Sequence, residues 1–449
     1  MSAWKSAAIT PSAARLTESL RDIGYDFPSA VADIVDNSVM AGASHVDVTI
    51  EFAGEDSYVV ISDDGVGMTG NGLIEALRYG SRRSYGRSDL GRYGLGLKTA
   101  SMSQCRSVTV LSSLRVAPDN VSTGMLDLDL INKYDKWLIF EPSSGPLIEG
   151  AIERLKKEPG TVVIWRKLDR VLPEKSPDGG WARRRLDSLA AKTAEHLGIV
   201  FHRYLEGTAG KDLVLTVNEH KVEPWNPFAP TEAGTYELPM QRFELVVGDV
   251  SGAVILQRFV LPARDEFSSA EEFERYSGPL NWNRQQGIYI YRADRLVQWG
   301  GWNGIRGIDE HTKLARASLE FDTDLDSVFN INVAKMRVTL PPQIRQMLIR
   351  PINELCSYAD DRYRKASRRS HAQDEAPADA LPAIAPTTPD AADECSTRAS
   401  IGGSALVAEA GLALRAAAMF AGEYESFRKV VTVLNEHAPD IAKAIGLNL

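Results

Sequence analysis

Residues Ala32–Gly42 read ADIVDNSVMAG. Asp33 and Asn37 stand four positions apart, which in a helix places them one turn apart on a common face. Pro28 lies just upstream and Gly42 closes the stretch, the usual order of proline early in a helix and glycine at its stop. An acid and an amide on one helix face are ordinarily a solvated surface. The elements that follow give this pair another meaning.

HVDVTIEF (45–52) alternates Val46, Val48, Ile50 and Phe52 with polar residues, which predicts a half-buried strand. Residues Ala53–Asp56 turn the chain into a second strand, SYVVIS (57–62). Two glycine loops come next, SDDGVGM (62–68) and GRYGLGLKTAS (91–101), the second leading into a helix. Asp63 at a strand end can accept from an exocyclic amine, and Gly65 and Gly67 let the backbone approach a flat ring. Gly91, Gly94 and Gly96 leave amide N–H groups unobstructed at a helix N-terminus, where phosphate oxygens are stabilised, and Lys98 can add a charge-assisted contact. No G-x-x-x-x-G-K-[ST] occurs, and the spacing G-x-x-G-x-G reverses the dinucleotide fingerprint, so P-loop and dinucleotide readings fail. Asn37 can offer its amide oxygen to Mg²⁺ and Asp33 can take a proton from water. The order of helix, hairpin, loop, helix, loop and helix predicts an α+β domain with a mixed or antiparallel sheet backed by helices.

That order resembles the gyrase, heat-shock chaperone, histidine kinase and MutL ATPase superfamily (GHKL, Bergerat fold). DIVDNSVMAGA resembles its N-box, DDGVGM its adenine loop, GRYGLGLKTAS its phosphate loop and GTVVIW (160–165) the later strand that completes the adenine pocket. Within the superfamily the chain looks most like MORC and MutL ATPases. LRYGSRRSYGRSDLGRYGLGLKTASMS (77–103) resembles the MORC lid, QGIYIYRADRLVQWGGW (286–302) carries a Y-x-x-x-R-L stretch, and VFNINVAKMRV (328–338) resembles the MutL segment with a γ-phosphate lysine.

The resemblance implies ATP and Mg²⁺ as ligands. It implies Asp33 as base, Lys335 on the γ-phosphate and Asn37 on the metal. Nucleotide contacts would come from Asn37, Asp63, Gly65, Gly67 and Met68, then Gly91, Tyr93, Gly94, Leu95, Gly96, Leu97 and Lys98, and finally Thr161. It also implies an ATP domain over 1–175 and a ribosomal-protein-S5-like transducer domain over 176–370. The chain departs from the pattern at Asp33, where glutamate is usual, and at Met40, where aspartate is frequent. Aspartate is shorter by roughly 1.5 Å, and a displacement of ~1 Å can slow a reaction on the order of 10²-fold. Turnover is therefore expected to be low. Asp36 is a less favourable substitute base, because helix neighbours point about 100° apart.

Residues 371–400, rich in Ala, Pro and Asp, read as a flexible linker, and 401–449 as a helical segment suited to a protein partner. The net charge of −9 opposes indiscriminate binding of nucleic acid. Two local basic patches remain: Arg78, Arg82, Arg83, Arg87 and Arg92, then Arg362, Arg364, Lys365, Arg368 and Arg369. Cys105, Cys356 and Cys395 fit no zinc spacing and suggest a reducing cytoplasm. No apolar run approaches the length of a membrane span. The expected function is an ATP-gated, homodimerising clamp, on double-stranded DNA by the MORC and MutL resemblance. The alternative is a chaperone-like or signalling ATP-gated clamp on a protein partner, one that binds ATP without efficient hydrolysis.

Overall fold

A computed structural model describes residues 11–22, 24–80, 96–173, 178–248, 250–329, 338–374, 427, 431, 432, 434 and 435. Met1–Ala376 is one compact unit and Pro377–Leu449 another; the five described residues of the second are all helical.

The first part of the large unit runs α1 (Ala13–Arg21), α2 (Phe27–Met40), β1 (His45–Glu51), β2 (Tyr58–Asp63), α3 (Gly70–Leu77), α4 (Gly96–Gln104), β3 (Ser107–Leu114), β4 (Ala117–Asp127), α5 (Leu128–Tyr134), α6 (Pro146–Lys157), β5 (Thr161–Arg166), α7 (Gly180–Val200), α8 (His202–Leu205), β6 (Val214–Val217) and β7 (His220–Lys221). Its strands form one sheet in the order β4-β3-β5-β2-β1-β6-β7. The β1–β6 pair is parallel and the others are antiparallel, so the sheet is mixed. The alternation in β5 shows how the layers form. Val163 and Trp165 join the core shared with α2, α4 and α7, whereas Val162 and Ile164 pack with Ile148 and Leu155 of α6 on the opposite face.

Asp26 caps α2 by accepting from the Ser29 amide at 2.8 Å, and Pro28 sits in the first turn, where its missing N–H has no partner to lose. From Ser29 to Val39 every residue of α2 is buried except Asn37.

The second part runs β8 (Tyr236–Val247), β9 (Val250–Val260), α9 (Ala270–Tyr276), α10 (Asn281–Gln285), β10 (Gly287–Arg292), β11 (Arg295–Gln298), β12 (Ala315–Phe321) and α11 (Pro342–Asp374). The sheet order is β11-β10-β12-β9-β8, with β10 and β12 parallel. Every residue of β10 is buried. Ile288 and Ile290 share a core with Ile344, Leu348 and Ile352 of α11, while Tyr289 and Tyr291 face Ile199 of α7. A strand covered on both faces needs no polar alternation, which explains the run GIYIY.

The ATP domain was expected over 1–175, and the first sheet runs on past that residue to Lys221, because β6 pairs with β1. Helix α11 continues to Asp374, so the first four residues of the expected linker are helical. Most of 401–449, residues 81–95 of the segment expected as a lid, and Lys335 lie outside the described residues. No helix among the described residues is long and apolar enough to cross a membrane.

Candidate nucleotide site

Asp63 ends β2 and is nearly buried, 6% exposed. Its Oδ2 accepts from the Ser38 hydroxyl at 2.8 Å, and its Oδ1 from the Gly65 amide at 2.9 Å. Burial raises the carboxyl above its usual range, opposed by the hydrogen bonds from Gly65, Ser38 and Thr161. These donors leave lone pairs on an oriented acceptor, the requirement for reading an exocyclic amine. Thr161 stands opposite Asp63 in the β2–β5 register, and its hydroxyl is 3.0 Å from that of Ser112. Ser112 also accepts from the Met68 amide at 2.8 Å and donates to the Gly160 carbonyl at 2.8 Å. Gly67 has φ +72°, and a Cβ there would collide with the Ser113 carbonyl oxygen. The residues of the first glycine loop thus converge on one end of β2, β3 and β5.

Asn37 donates its amide nitrogen to the Asp33 carbonyl at 2.9 Å, which turns its amide oxygen outward from the helix. Among the described residues no group of three or more His, Cys, Asp or Glu could hold a metal. A lone exposed amide oxygen suits Mg²⁺ that draws its remaining ligands from phosphate and water.

Asp33 is 1% exposed and accepts on Oδ2 from the Tyr25 hydroxyl at 2.7 Å. That oxygen lies 3.6 Å from where a Cβ on Gly96 would stand, so the carboxylate faces the first residue of α4. Burial, then the charge of Asp33, raise the Tyr25 hydroxyl far above its ordinary range, so it remains a donor. Asp36 is fully buried, and its Oδ1 accepts from Arg295 Nε at 2.7 Å. That ion pair occupies the group considered as a substitute base.

Lys98, expected as a phosphate contact, lies buried in α4. Its ammonium donates to the carbonyls of Ala76 and Arg78, at 2.9 and 2.8 Å, at the C-terminal end of α3. Burial pushes it down to about 8, with Glu75 opposing. Leu97 is half-buried beside it, and Gly91, Tyr93, Gly94 and Leu95 lie outside the described residues.

Tyr25, Ser38, Ser112 and Arg295 were not singled out from sequence. Ser38 and Arg295 each lie inside a quoted motif, but only the folded chain shows what they touch. The second basic patch is largely engaged within the protein: Arg362 and Arg369 both bond Glu266, at 2.7 and 2.8 Å, and Arg364 bonds Asp360 at 2.9 Å. A separate cleft of about 340 Å³, lined by Glu195, Glu223, Trp225, Glu274 and Arg275 among others, shares none of the nucleotide-site residues.

The chain is 48% identical over 50 residues to the DNA mismatch repair protein MutL of Halobacterium salinarum, in each of two strains. The aligned stretch is 11% of this chain and spans only 7% of MutL. Residues 25–161 match the family model described as histidine kinase-, DNA gyrase B-, and HSP90-like ATPase, a span that contains Asp33, Asn37, both glycine loops and Thr161. This segment is therefore an ATPase domain of the GHKL superfamily, built on a mixed sheet backed by helices.

Proposed function

We propose that the chain binds ATP with Mg²⁺ at the face formed by Asn37, Asp63 and the two glycine loops, and hydrolyses it slowly with Asp33 as general base. The observation that carries this reading is the Asp33 carboxylate, fixed by Tyr25 and facing Gly96 at the start of α4. Adenine recognition falls to Asp63 and Thr161, with Gly65, Gly67 and Met68 flooring the ring. In the reaction, water attacks the γ-phosphorus and gives its proton to Asp33, while the bridging P–O bond breaks and ADP leaves with the electron pair. Amides of Gly94–Leu97 stabilise phosphate charge. Mg²⁺, when bound, neutralises charge on the phosphates.

The second sheet is read as the transducer, with Lys335 approaching the γ-phosphate and the Gly80–Tyr93 lid closing over it in a homodimeric state. Residues 375–400 would then be a linker and 401–449 a docking segment. The partial likeness to a DNA mismatch repair protein supports DNA as the object of the clamp. The engagement of Arg362 and Arg369 by Glu266 favours the second reading, a clamp on a protein.

Steady-state ATP turnover with and without double-stranded DNA, alongside binding of a non-hydrolysable analogue, tests these readings. DNA stimulation supports the first object and indifference to DNA the second. Absence of nucleotide binding overturns both.

A further inference from the structure

The turn between β10 and β11 is the two residues Ala293 and Asp294, both at positive φ, +47° and +61°, as a type I′ hairpin requires. It is seated on α8. The Tyr204 hydroxyl donates to the Ala293 carbonyl at 2.7 Å, and Arg203 bonds the Asp294 carboxylate at 2.9 Å. Arg292 and Arg295 flank this turn and go separate ways. Arg292 forms a two-pronged pair with Asp326 in its own layer, at 2.7 and 2.6 Å. Arg295 leaves its sheet and enters α2. Its Nε is 2.7 Å from Asp36 Oδ1, and a terminal nitrogen is 3.7 Å from Asp33 Oδ1.

Arg295 is 3% exposed, and neither carboxylate is more than 1% exposed. A cation so deeply buried between two carboxylates orients both, since each loses its water and keeps only fixed donors. Asp33 is thus held from two sides, by Tyr25 on one oxygen and by Arg295 near the other, with Gly96 in front. His196 of α7 and Tyr204 of α8 also border this cluster. His196 is neutral, pushed to about 4 by burial and by Arg295, so among the described residues Arg295 is the cation that faces Asp33 from the second sheet.

We propose that Arg295 is a positioning residue for ATP hydrolysis, through which the second sheet sets the orientation of the Asp33 carboxylate toward the phosphate-loop glycine Gly96. The proposal rests on the reading of Asp33 as general base. It makes the hairpin turn the element by which a displacement of the second sheet alters turnover, because Arg295 cannot move without carrying or releasing Asp36 and Asp33.

The test uses the full chain as wild type, Arg295→Lys, and the charge-balanced double variant Asp36→Asn with Arg295→Gln. Turnover, affinity for a non-hydrolysable ATP analogue and thermal unfolding are measured for each. The expected result for the double variant is a fall in kcat on the order of 10- to 100-fold, as for a misplaced catalytic group. KM and analogue affinity stay within about threefold, the pattern of a lost transition-state contact. Arg295→Lys, which keeps the charge and loses the fork, recovers part of kcat. Folded variants with wild-type kcat overturn the proposal. So do variants in which KM rises and analogue affinity falls by as large a factor as kcat does, or which do not fold at all, since each marks Arg295 as structural only. A wild type that binds the analogue without turnover overturns the inference and leaves nucleotide binding standing. A wild type that binds no analogue overturns the functional reading itself.

Discussion

Ser38 and Asp63 are 25 positions apart, yet the Ser38 hydroxyl donates to Asp63 Oδ2 at 2.8 Å. The helix that exposes Asn37 therefore also orients the carboxylate at the end of β2. Hydrogen bonds involving an ionised partner contribute about 1.5–3 kcal/mol. Asp63→Asn should accordingly weaken ATP binding by roughly 10- to 100-fold. Ser38→Ala should weaken it less and in the same direction. Titration calorimetry with ATP and GTP measures both, and an Asp63→Asn variant that still prefers ATP with wild-type affinity removes Asp63 from the site.

Asp33→Asn retains shape and hydrogen bonding but cannot take a proton. Turnover should drop by about 10²–10⁴-fold, the usual contribution of a general base, while analogue affinity changes little. Asp33→Glu restores the length usual in the superfamily, and a rise in kcat above wild type is expected. Single-turnover kinetics separate the chemical step from product release. Equal rates in wild type and Asp33→Asn would assign the base elsewhere.

Lys98 ties the start of α4 to the end of α3 through the carbonyls of Ala76 and Arg78. Lys98→Met keeps most of the buried stem and removes both bonds. It should lower stability by about 1–3 kcal/mol, since two carbonyls lose a cationic donor. Urea unfolding in the absence of nucleotide measures the loss. An unchanged midpoint would mean that the capping contact contributes nothing to the apo fold.

Glu266 joins the loop after β9 to α11. Burial raises its carboxyl, but Arg369, the Ala263 amide and Arg362 overcome this and bring it to about 2, below its ordinary 4.5. Between those two values the unfolded chain binds the extra proton. The stabilisation is therefore complete above about pH 4.5 and is lost as pH falls toward 2. Glu266→Gln should be less stable than wild type by on the order of 1–2 kcal/mol near neutrality, after allowance for solvent screening. The gap should narrow steadily from about pH 5 to pH 3. Thermal unfolding across that range checks it, and a gap constant with pH contradicts the ion-pair account.

Ala293 holds φ +47° in the hairpin turn. The left-handed region is unfavourable to a residue with a Cβ by about 1–2 kcal/mol, and the added freedom of glycine in the unfolded chain offsets about 0.4–1 kcal/mol of any relief. Ala293→Gly should therefore stabilise by roughly 0.5 kcal/mol. A loss of stability would show that the half-buried Ala293 methyl packs well enough to outweigh the strain.

Much of the ATP domain was legible in order along the chain. The sequence by itself determined α2, because proline early, glycine late and a polar pair one turn apart are local signals. It determined β1 and β2 through alternation, and it marked Asp33, Asn37 and Asp63 because short-range geometry sets which face or strand end each one occupies. Tertiary structure alone decided the rest. Lys98 turned to the carbonyls of α3 because a buried ammonium takes the nearest fixed acceptors, and these lie twenty or more positions away. Arg362 and Arg369, which read as a basic patch, are drawn onto Glu266 by the packing of α11. The edge of the first sheet lay beyond residue 175 because strand pairing of β6 with β1 has no local signature. Arg295 reaches Asp36 across 259 positions, a contact that exists only once both layers have packed and expelled water from between them.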